Sequence, residues 1–128
     1  MKTDIVLELE GLTGPIKLEY RWLSIGDELY FLSARERDVM QLFMKHPNRV
    51  WTTRQITTSI WGPEYHNYNA TYHNILQIRR QIEEDPVNPR FLRTAGVGSG
   101  LGGYLLVTDP KKEAALDQIF WRNGRSRK

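Results

Sequence analysis

Residues 69–84, with the sequence NATYHNILQIRRQIEE, constrain the fold of this chain more than any other stretch. Four residues recur at i, i+4, i+7 and i+11, the spacing of one buried stripe on an α-helix: Thr71, Ile75, Ile78 and Ile82. Asn69 is predicted to cap the start of this helix. The Asp85-Pro86 step is predicted to end it, because the residue before a proline is disfavoured in the α conformation. The pattern predicts a helix with one side packed against a core.

The opposite side of this helix is polar and positive. Its outward members are Tyr72, His73, Gln77 and Arg80, with Asn69 above them and Arg79 at the edge. A helix with one apolar face and one face of arginine, amide and aromatic groups has the chemistry to enter the major groove of DNA. The alternative interpretation is an ordinary solvated helix surface, and this helix alone favours neither.

The composition narrows the classes of protein to consider. A chain of 128 residues and 15.0 kDa fits a single domain spanning residues 1–128. It contains no cysteine, which excludes disulfides, thiol nucleophiles and cysteine-based zinc sites and fits a reducing cytoplasm. No apolar run reaches the ~18 residues that a membrane-spanning helix needs, so a cytoplasmic location without membrane contact is expected.

Charge is distributed unevenly along the chain. The formal net charge is +3, and the isoelectric point is near 9.3. Residues 1–32 carry three basic and six acidic groups, residues 33–94 nine and six, and residues 95–128 six and three. Positive charge therefore begins where the predicted helices begin, and a polyanionic partner would be met by those later segments.

Residues 1–32 are predicted to form a small antiparallel sheet. Mostly alternating apolar and polar residues at 5–10, 16–22 and 28–32 indicate three strands, which glycine-containing turn signals separate. The outer face of this sheet is acidic, which argues against contact between that face and nucleic acid.

Residues 33–86 are predicted to form a three-helix core. An S-x-x-E capping box at 33–36 begins the first helix, and a T-x-x-Q capping box at 52–55 begins the second. These two helices end at a His-Pro and a Gly-Pro step, respectively. A polar, aromatic-rich connector at 62–68 then leads into the helix at 69–84.

The C-terminal part of the chain is predicted to form a hairpin and a further helix. Strand-like runs at 91–94 and 104–108, joined by a glycine-dense loop, indicate a β-hairpin within residues 90–108. Residues 109–128 begin with an Asp-Pro helix start and end in a basic tail, with the helix itself expected at 110–122.

This order of elements is that of an α+β winged helix-turn-helix protein, and the residues resemble one family in particular. The matching segments are Leu32-Ser-x-x-Glu36, Arg49-Val50, Ile56…Ile60-Trp61-Gly62, Ile75…Ile78-Arg79-Arg80…Ile82, Glu84-Asp85-Pro86 and Pro89-Arg-Phe-Leu-Arg-Thr94…Gly…Tyr104. Together they look like the OmpR/PhoB-type effector domain of bacterial response regulators over roughly residues 28–107. The receiver domain that normally precedes this module is not in the chain, which would make it either a stand-alone regulator or one domain of a longer protein.

The resemblance implies that the helix at 69–84 lies in the major groove while the hairpin is a wing that reaches the adjacent minor groove. The family places DNA-contacting groups at positions that are occupied here by Asn69, Asn74, Leu76, Gln77 and Arg79. Trp61, Thr94 and Tyr104 match positions that often support phosphate contacts, although packing is an open alternative for the two aromatic residues. An arginine can bind phosphate or a guanine edge, and a glutamine can pair with adenine.

Two departures from the family pattern reduce the expected positive charge at the DNA. Gln77 and Leu76 stand where basic residues are common, and Leu76 would meet either a thymine methyl group or a protein partner. The nine residues between Thr94 and Tyr104 carry no charge, so the wing arginine has no counterpart. Affinity would then rely on Arg54, Arg79 and Arg80, with the C-terminal arginines and lysines as further candidates.

No enzyme, metal site or cofactor is expected. The G-x-G-x-x-G at 98–103 is followed by a strand rather than a helix, unlike a dinucleotide site. The three histidines lack ligand spacing, and no catalytic residue can be assigned. The acidic run at 83–85 is interpreted as a solvated helix end.

Two functions from different classes remain. The first is sequence-selective binding of double-stranded DNA by a nucleoid-associated transcription regulator. The family resemblance implies that the connector at 62–68 would then be free to touch RNA polymerase. The second is a degenerate winged helix that acts as a protein-interaction or dimerisation module. The terminal helix carries Phe120 and Trp121, and it would either close the core or pair with a second copy in a homodimer.

Overall fold

The computed structural model describes residues 6–96 and 103–124, except for the side chains of 119–124. An antiparallel sheet comes first in the chain, with strands β1 (Val6–Gly11), β2 (Gly14–Glu19), β3 (Trp22–Ile25) and β4 (Glu28–Phe31) in that spatial order. Alternation turns one side of these strands inward, where Ile16, Leu18, Leu23 and Ile25 are buried. The opposite side faces solvent.

The sequence analysis was wrong about the number of strands, because the run at 16–22 contains a chain reversal. Glu19 on β2 pairs with Trp22 on β3, so Tyr20 and Arg21 form a two-residue turn. Tyr20 takes a φ of 57° to make it. Left-handed backbone is usually found at glycine or asparagine, so a tyrosine there gives no turn signal in the sequence.

The first two helices begin at the predicted caps. Helix α1 (Ala34–Lys45) has Ser33 as its N-cap, and α2 (Thr53–Trp61) has Thr52. In α1 the Glu36 N–H donates to the Ser33 hydroxyl at 3.2 Å, while the Ser33 N–H donates to a Glu36 carboxylate oxygen at 2.9 Å. The same reciprocal pair forms at α2 through Gln55. Both capping boxes are confirmed.

The third helix, α3 (Tyr68–Ile82), starts and ends earlier than predicted. The N-cap is Asn67, whose side-chain oxygen accepts from the Asn69 N–H at 3.1 Å, so the prediction of Asn69 as the cap was wrong. At the other end Glu83 already has an extended ψ of 139° and is the C-cap. The helix therefore stops before the Asp85-Pro86 step.

The hairpin strands are part of a second, three-stranded sheet. Strands β5 (Trp51–Thr52), β6 (Leu92–Ala95) and β7 (Gly103–Leu106) lie in the order β5-β7-β6, and the short β5 was not predicted. A side chain at Gly103 would place its Cβ 2.8 Å from the Trp51 carbonyl oxygen, so this close approach of β5 and β7 requires glycine. The predicted glycine-rich loop of the hairpin falls mostly on 97–102, outside the described residues.

One hydrophobic core joins both sheets to the three helices. Fully buried members come from each part: Ile16, Leu23, Met40, Phe43, Ile56, Ile75, Ile78, Leu92 and Leu106. A buried hydrogen bond of 2.5 Å also links the hydroxyls of Thr57 on α2 and Thr71 on α3. Because the Thr57 hydroxyl donates to the Thr53 carbonyl at 2.8 Å, Thr71 is the donor to Thr57.

Helix α4 (Pro110–Gly124) follows the hairpin and is tied to it by charge. Arg90 donates to Glu113 at 2.6 Å, and Arg93 donates to Asp117 at 2.8 Å. Leu116 is half-buried and does not belong to the core cluster. Phe120 and Trp121 lie outside the described side chains, so core closure and pairing both stay predictions. No helix within the described part of the chain is long and apolar enough to cross a membrane.

Candidate nucleic-acid interface

The outward face of α3 presents the polar groups that its helical period predicts. Asn69, Tyr72, His73 and Arg80 are exposed, and Tyr72 is the most accessible aromatic side chain of the helix at 52%. Gln77 is half-buried, and so is Leu76, which was expected to meet either a thymine methyl group or a protein partner. Its partial burial leaves less apolar surface for either a thymine methyl or a protein contact.

Two amides on this face already have contacts within the helix. The Asn74 amide donates to the Ala70 carbonyl at 2.9 Å, which leaves its side-chain oxygen as an acceptor. Gln77 lies 3.5 Å from the Nε2 of His73, one helical turn earlier. His73 and Gln77 thus form one polar unit on the helix surface.

Arg79 lies elsewhere than the sequence analysis placed it. Its side chain is buried, with 7% exposure, and turns toward the hairpin. The Nε–H donates to the Leu92 carbonyl at 2.9 Å, and an Nη donates to the Thr94 hydroxyl at 2.9 Å. The guanidinium also lies 5.4 Å from the centre of the Tyr104 ring, which suits a cation–π contact.

The structure thus brings together three predicted site residues, Arg79, Thr94 and Tyr104. Burial lowers the pKa of the Arg79 guanidinium from its usual value, although Tyr104 and Glu83 oppose that shift. Burial raises the pKa of the Tyr104 phenol, so it stays neutral at physiological pH. Thr94 is exposed and forms the solvent-facing end of the cluster. In this cluster the positively charged Arg79 guanidinium is hydrogen-bonded to the Thr94 hydroxyl at the surface.

Glu83 was missed as a structural residue. The sequence analysis interpreted the acidic run at 83–85 as a solvated helix end, but Glu83 is buried at 7% exposure. Its carboxylate accepts backbone N–H groups from Arg90 at 2.6 Å and Leu92 at 2.8 Å. The Phe91 N–H donates to both carboxylate oxygens at 3.1 Å. A glutamate followed by two further acidic residues gives no local signal of this role.

Arg54 and Trp61 lie on α2. Arg54 is exposed in the first turn of the helix, where its charge is free to meet a polyanion. Trp61 is half-buried and stacks on Tyr65 with ring centres 5.7 Å apart. The Arg35 guanidinium also lies over the Trp61 ring, 5.4 Å from the ring centre. Trp61 therefore packs against other side chains of the protein and stays partly exposed.

Within the described residues, no group of three or more histidine, aspartate or glutamate side chains has the arrangement to hold a metal ion. The arrangement that remains is a polar helix face beside a hairpin, with arginine charge on α2 and α3. Helix α2, the turn after it, α3 and the β6–β7 hairpin together make a winged helix-turn-helix.

Comparison with known proteins identifies the family. Residues 27–100 match the family model described as "Transcriptional regulatory protein, C terminal". The chain belongs to this family, the OmpR/PhoB-type DNA-binding domains of transcription regulators, which confirms the resemblance drawn from the sequence. The family is one of DNA-binding domains of transcription regulators.

Two curated relatives illustrate the match. The chain is 36% identical over 103 residues to the alkaline phosphatase synthesis transcriptional regulatory protein SphR of Synechococcus elongatus, covering 79% of this chain and 39% of the relative. It is 36% identical over 90 residues to the transcriptional regulatory protein YvrH of Bacillus subtilis, covering 70% of this chain and 36% of the relative. The chain therefore spans under half the length of these relatives.

Solved structures share the fold. The response regulator DrrB of Thermotoga maritima, an OmpR/PhoB homologue, matches with a TM-score of 0.60 at 20% identity, over 72% of this chain and 41% of that one. The C-terminal domain of the nisin resistance regulator NsrR matches with a TM-score of 0.54 at 23% identity, over 80% and 93%. At these identities the likeness concerns the fold alone.

Proposed function

We propose that this chain binds double-stranded DNA with sequence selectivity by inserting α3 into the major groove. The observation that carries the proposal is the division of α3 into two faces. Ile75 and Ile78 are fully buried against the core, while Tyr72, His73 and Arg80 are exposed on the opposite side. A helix anchored on one side with amide, imidazole and guanidinium groups on the other can read base edges.

In this proposal the DNA backbone is held at both ends of α3. Arg54 and the partly exposed Trp61 on α2 meet one phosphate run, together with Asn69 in the first turn of α3. At the other end the exposed Thr94 hydroxyl meets a phosphate, with the charge of Arg79 behind it and Tyr104 beneath. Asn74 and Gln77 read bases after exchanging their contacts within the helix.

We propose further that residues 1–128 act as one winged-helix unit without a cofactor. Its parts are the sheet of 1–32, the helical core of 33–86, the hairpin of 90–108 and the helix and tail of 109–128. The hairpin lies against the flanking minor groove. A single hydrophobic core that includes β2, α1, α3 and β7 supports a single unit.

The partners other than DNA follow from exposed segments. The connector at 62–68 exposes His66 and Asn67 at the start of α3, and it is the surface we propose for contact with RNA polymerase. Pairing of two copies would double the contacts to DNA and is proposed for α4. A protein with these partners works in the cytoplasm, on the nucleoid.

A second function, protein interaction, is favoured by the outer face of the N-terminal sheet. Large apolar side chains with 45–62% exposure gather there: Val6, Tyr20, Trp22, Leu29 and Phe31. The Trp22 and Phe31 rings lie 4.6 Å apart. The neighbouring carboxylates disfavour nucleic acid on this face, so a contact here would be with protein.

The two functions are separated by one pair of experiments. Selection from a random duplex library should enrich a defined sequence, and fluorescence anisotropy should show that Arg80→Ala binds it more weakly. Lys17→Ala is the matched control, because it also removes one exposed cation but from the N-terminal sheet. Failure to enrich any sequence, with retained binding to a protein partner that Trp22→Ser abolishes, would favour the second function.

A further inference from the structure

Two side chains at the C-terminal end of α3, those of Arg79 in its last turn and of the C-cap Glu83, hydrogen-bond to the main chain of β6 at one residue. The Leu92 N–H donates to the Glu83 carboxylate at 2.8 Å, and the Leu92 carbonyl accepts from the Arg79 Nε–H at 2.9 Å. The N–H and the carbonyl of Leu92 are therefore both hydrogen-bonded to side chains at the C-terminal end of α3. The same carboxylate accepts the N–H groups of Arg90 and Phe91, which lead into the strand.

This grip lies on the side of β6 away from β7. In the order β5-β7-β6, β7 is the one strand among the described residues that pairs with β6. The free edge would otherwise present unpaired N–H and C=O groups. At Leu92, Arg79 and Glu83 satisfy both of these groups in place of another strand, so the hairpin is hydrogen-bonded to the helix that enters the major groove in the proposed function.

The two groups have the chemistry for a firm connection. Glu83 is a desolvated carboxylate that accepts from three backbone donors, and hydrogen bonds to a charged acceptor are stronger than neutral ones. Arg79 uses two donors of its planar guanidinium, one to Leu92 and one to Thr94. Glu83 follows Arg79 by four residues, and its N–H donates to the Arg79 carbonyl at 2.9 Å, so the two residues lie together at the same end of α3.

We propose that Arg79 and Glu83 are positioning residues that fix the hairpin relative to α3, so that the contacts of the helix and of the hairpin with DNA are made together. This inference rests on the proposed DNA-binding function. Neither side chain belongs to the outward face that carries Tyr72, His73 and Arg80. Loss of the grip should therefore leave reading by the helix in place while the hairpin loses its position.

The test compares two footprints of the full chain on a duplex selected from a random library. Dimethyl sulfate reports guanine N7 in the major groove, and hydroxyl radicals report sugars along the minor groove. Glu83→Gln weakens the acceptor and turns an amide toward the backbone donors. Glu84→Gln is the matched control, because it removes the same charge from the adjacent, exposed residue. Circular dichroism establishes that each variant is folded.

We expect Glu83→Gln to lose the hydroxyl-radical protection of the minor groove next to the major-groove site of α3. Its dimethyl sulfate protection should stay within about twofold of the wild type. Glu84→Gln should keep both. If Glu83→Gln does not fold, Arg79→Lys takes its place, since an ammonium group cannot reproduce the two fixed guanidinium bonds. Equal retention of both footprints, or their loss in equal proportion, would overturn the positioning role. Absence of any wild-type footprint would instead refute the DNA-binding function and remove the basis of this one.

Discussion

Neighbouring arginines on α3 should respond to substitution in opposite ways. Arg79 is buried at 7% exposure and donates hydrogen bonds to Leu92 and Thr94, whereas Arg80 is exposed. Arg79→Ala should therefore lower the free energy of unfolding, and Arg80→Ala should change it little. The sequence analysis gave both residues the same role at the DNA.

The magnitude follows from the contacts of Arg79. A hydrogen bond to a charged group contributes about 1.5–3 kcal/mol, and Arg79 makes two. The cost of burying the cation offsets part of this sum, so Arg79→Ala should destabilise the fold by roughly 2–3 kcal/mol. Arg80→Ala should stay within about 0.5 kcal/mol of the wild type, as exposed substitutions usually do.

Two assays measure the difference. Thermal unfolding followed by circular dichroism should show Tm lowered by about 6–12 °C for Arg79→Ala, since 1 kcal/mol corresponds to several degrees in a domain of this size. Fluorescence anisotropy across a salt series should show that Arg80→Ala reduces the slope of log K against log salt by about 0.9, the loss of one phosphate contact. The reasoning is refuted if Arg79→Ala melts with the wild type or if Arg80→Ala is the less stable of the two.

Three further predictions concern the fold around the site. Gly103→Ala should cost about 1–3 kcal/mol in a urea titration, because the added Cβ meets the Trp51 carbonyl; unchanged stability would contradict the close approach of the strands. Asn48 has a φ of 64°, and its side-chain oxygen accepts from the Thr108 N–H. In thermal melts Asn48→Ala should be less stable than Asn48→Gly, because glycine adopts this backbone angle without strain. The reverse order of stability would contradict this. Hydrogen bonds from Asn88 and Val87 lower the Asp85 pKa below its ordinary 3.8. This carboxylate therefore stabilises the fold above pH 3.8, and the stabilisation is lost as the pH falls through the pKa of the folded state. An NMR titration should show that Asn88→Ala raises the Asp85 pKa.

The elements that the sequence predicted well are those defined by local chemistry. The capping boxes of α1 and α2 join residues three positions apart, so a four-residue sequence motif contains both partners of each hydrogen bond. The buried stripe of α3 depends only on helical spacing, and Thr71, Ile75, Ile78 and Ile82 are all buried. Helix ends are less certain, because Asn67 and Asn69 are equally suitable caps by residue type.

The features that the sequence did not reveal depend on contacts between distant segments. Arg79 follows Ile78 at the edge of the buried stripe, and helical period alone does not tell whether an edge residue turns to solvent or to a neighbour. The hairpin decides it, since Leu92 and Thr94 supply the acceptors. Glu83 likewise depends on backbone donors seven to nine residues later. Site residues that combine packing with recognition are therefore the hardest to place from sequence.

The central claim is that this chain binds duplex DNA through α3 and the arginines beside it. The most direct measurement is a fluorescence titration of the full chain against random-sequence duplex DNA at two salt concentrations. The account predicts binding that weakens steeply as salt rises, by an amount that corresponds to several phosphate contacts at about 0.9 in slope for each. The absence of binding even at low salt would contradict it.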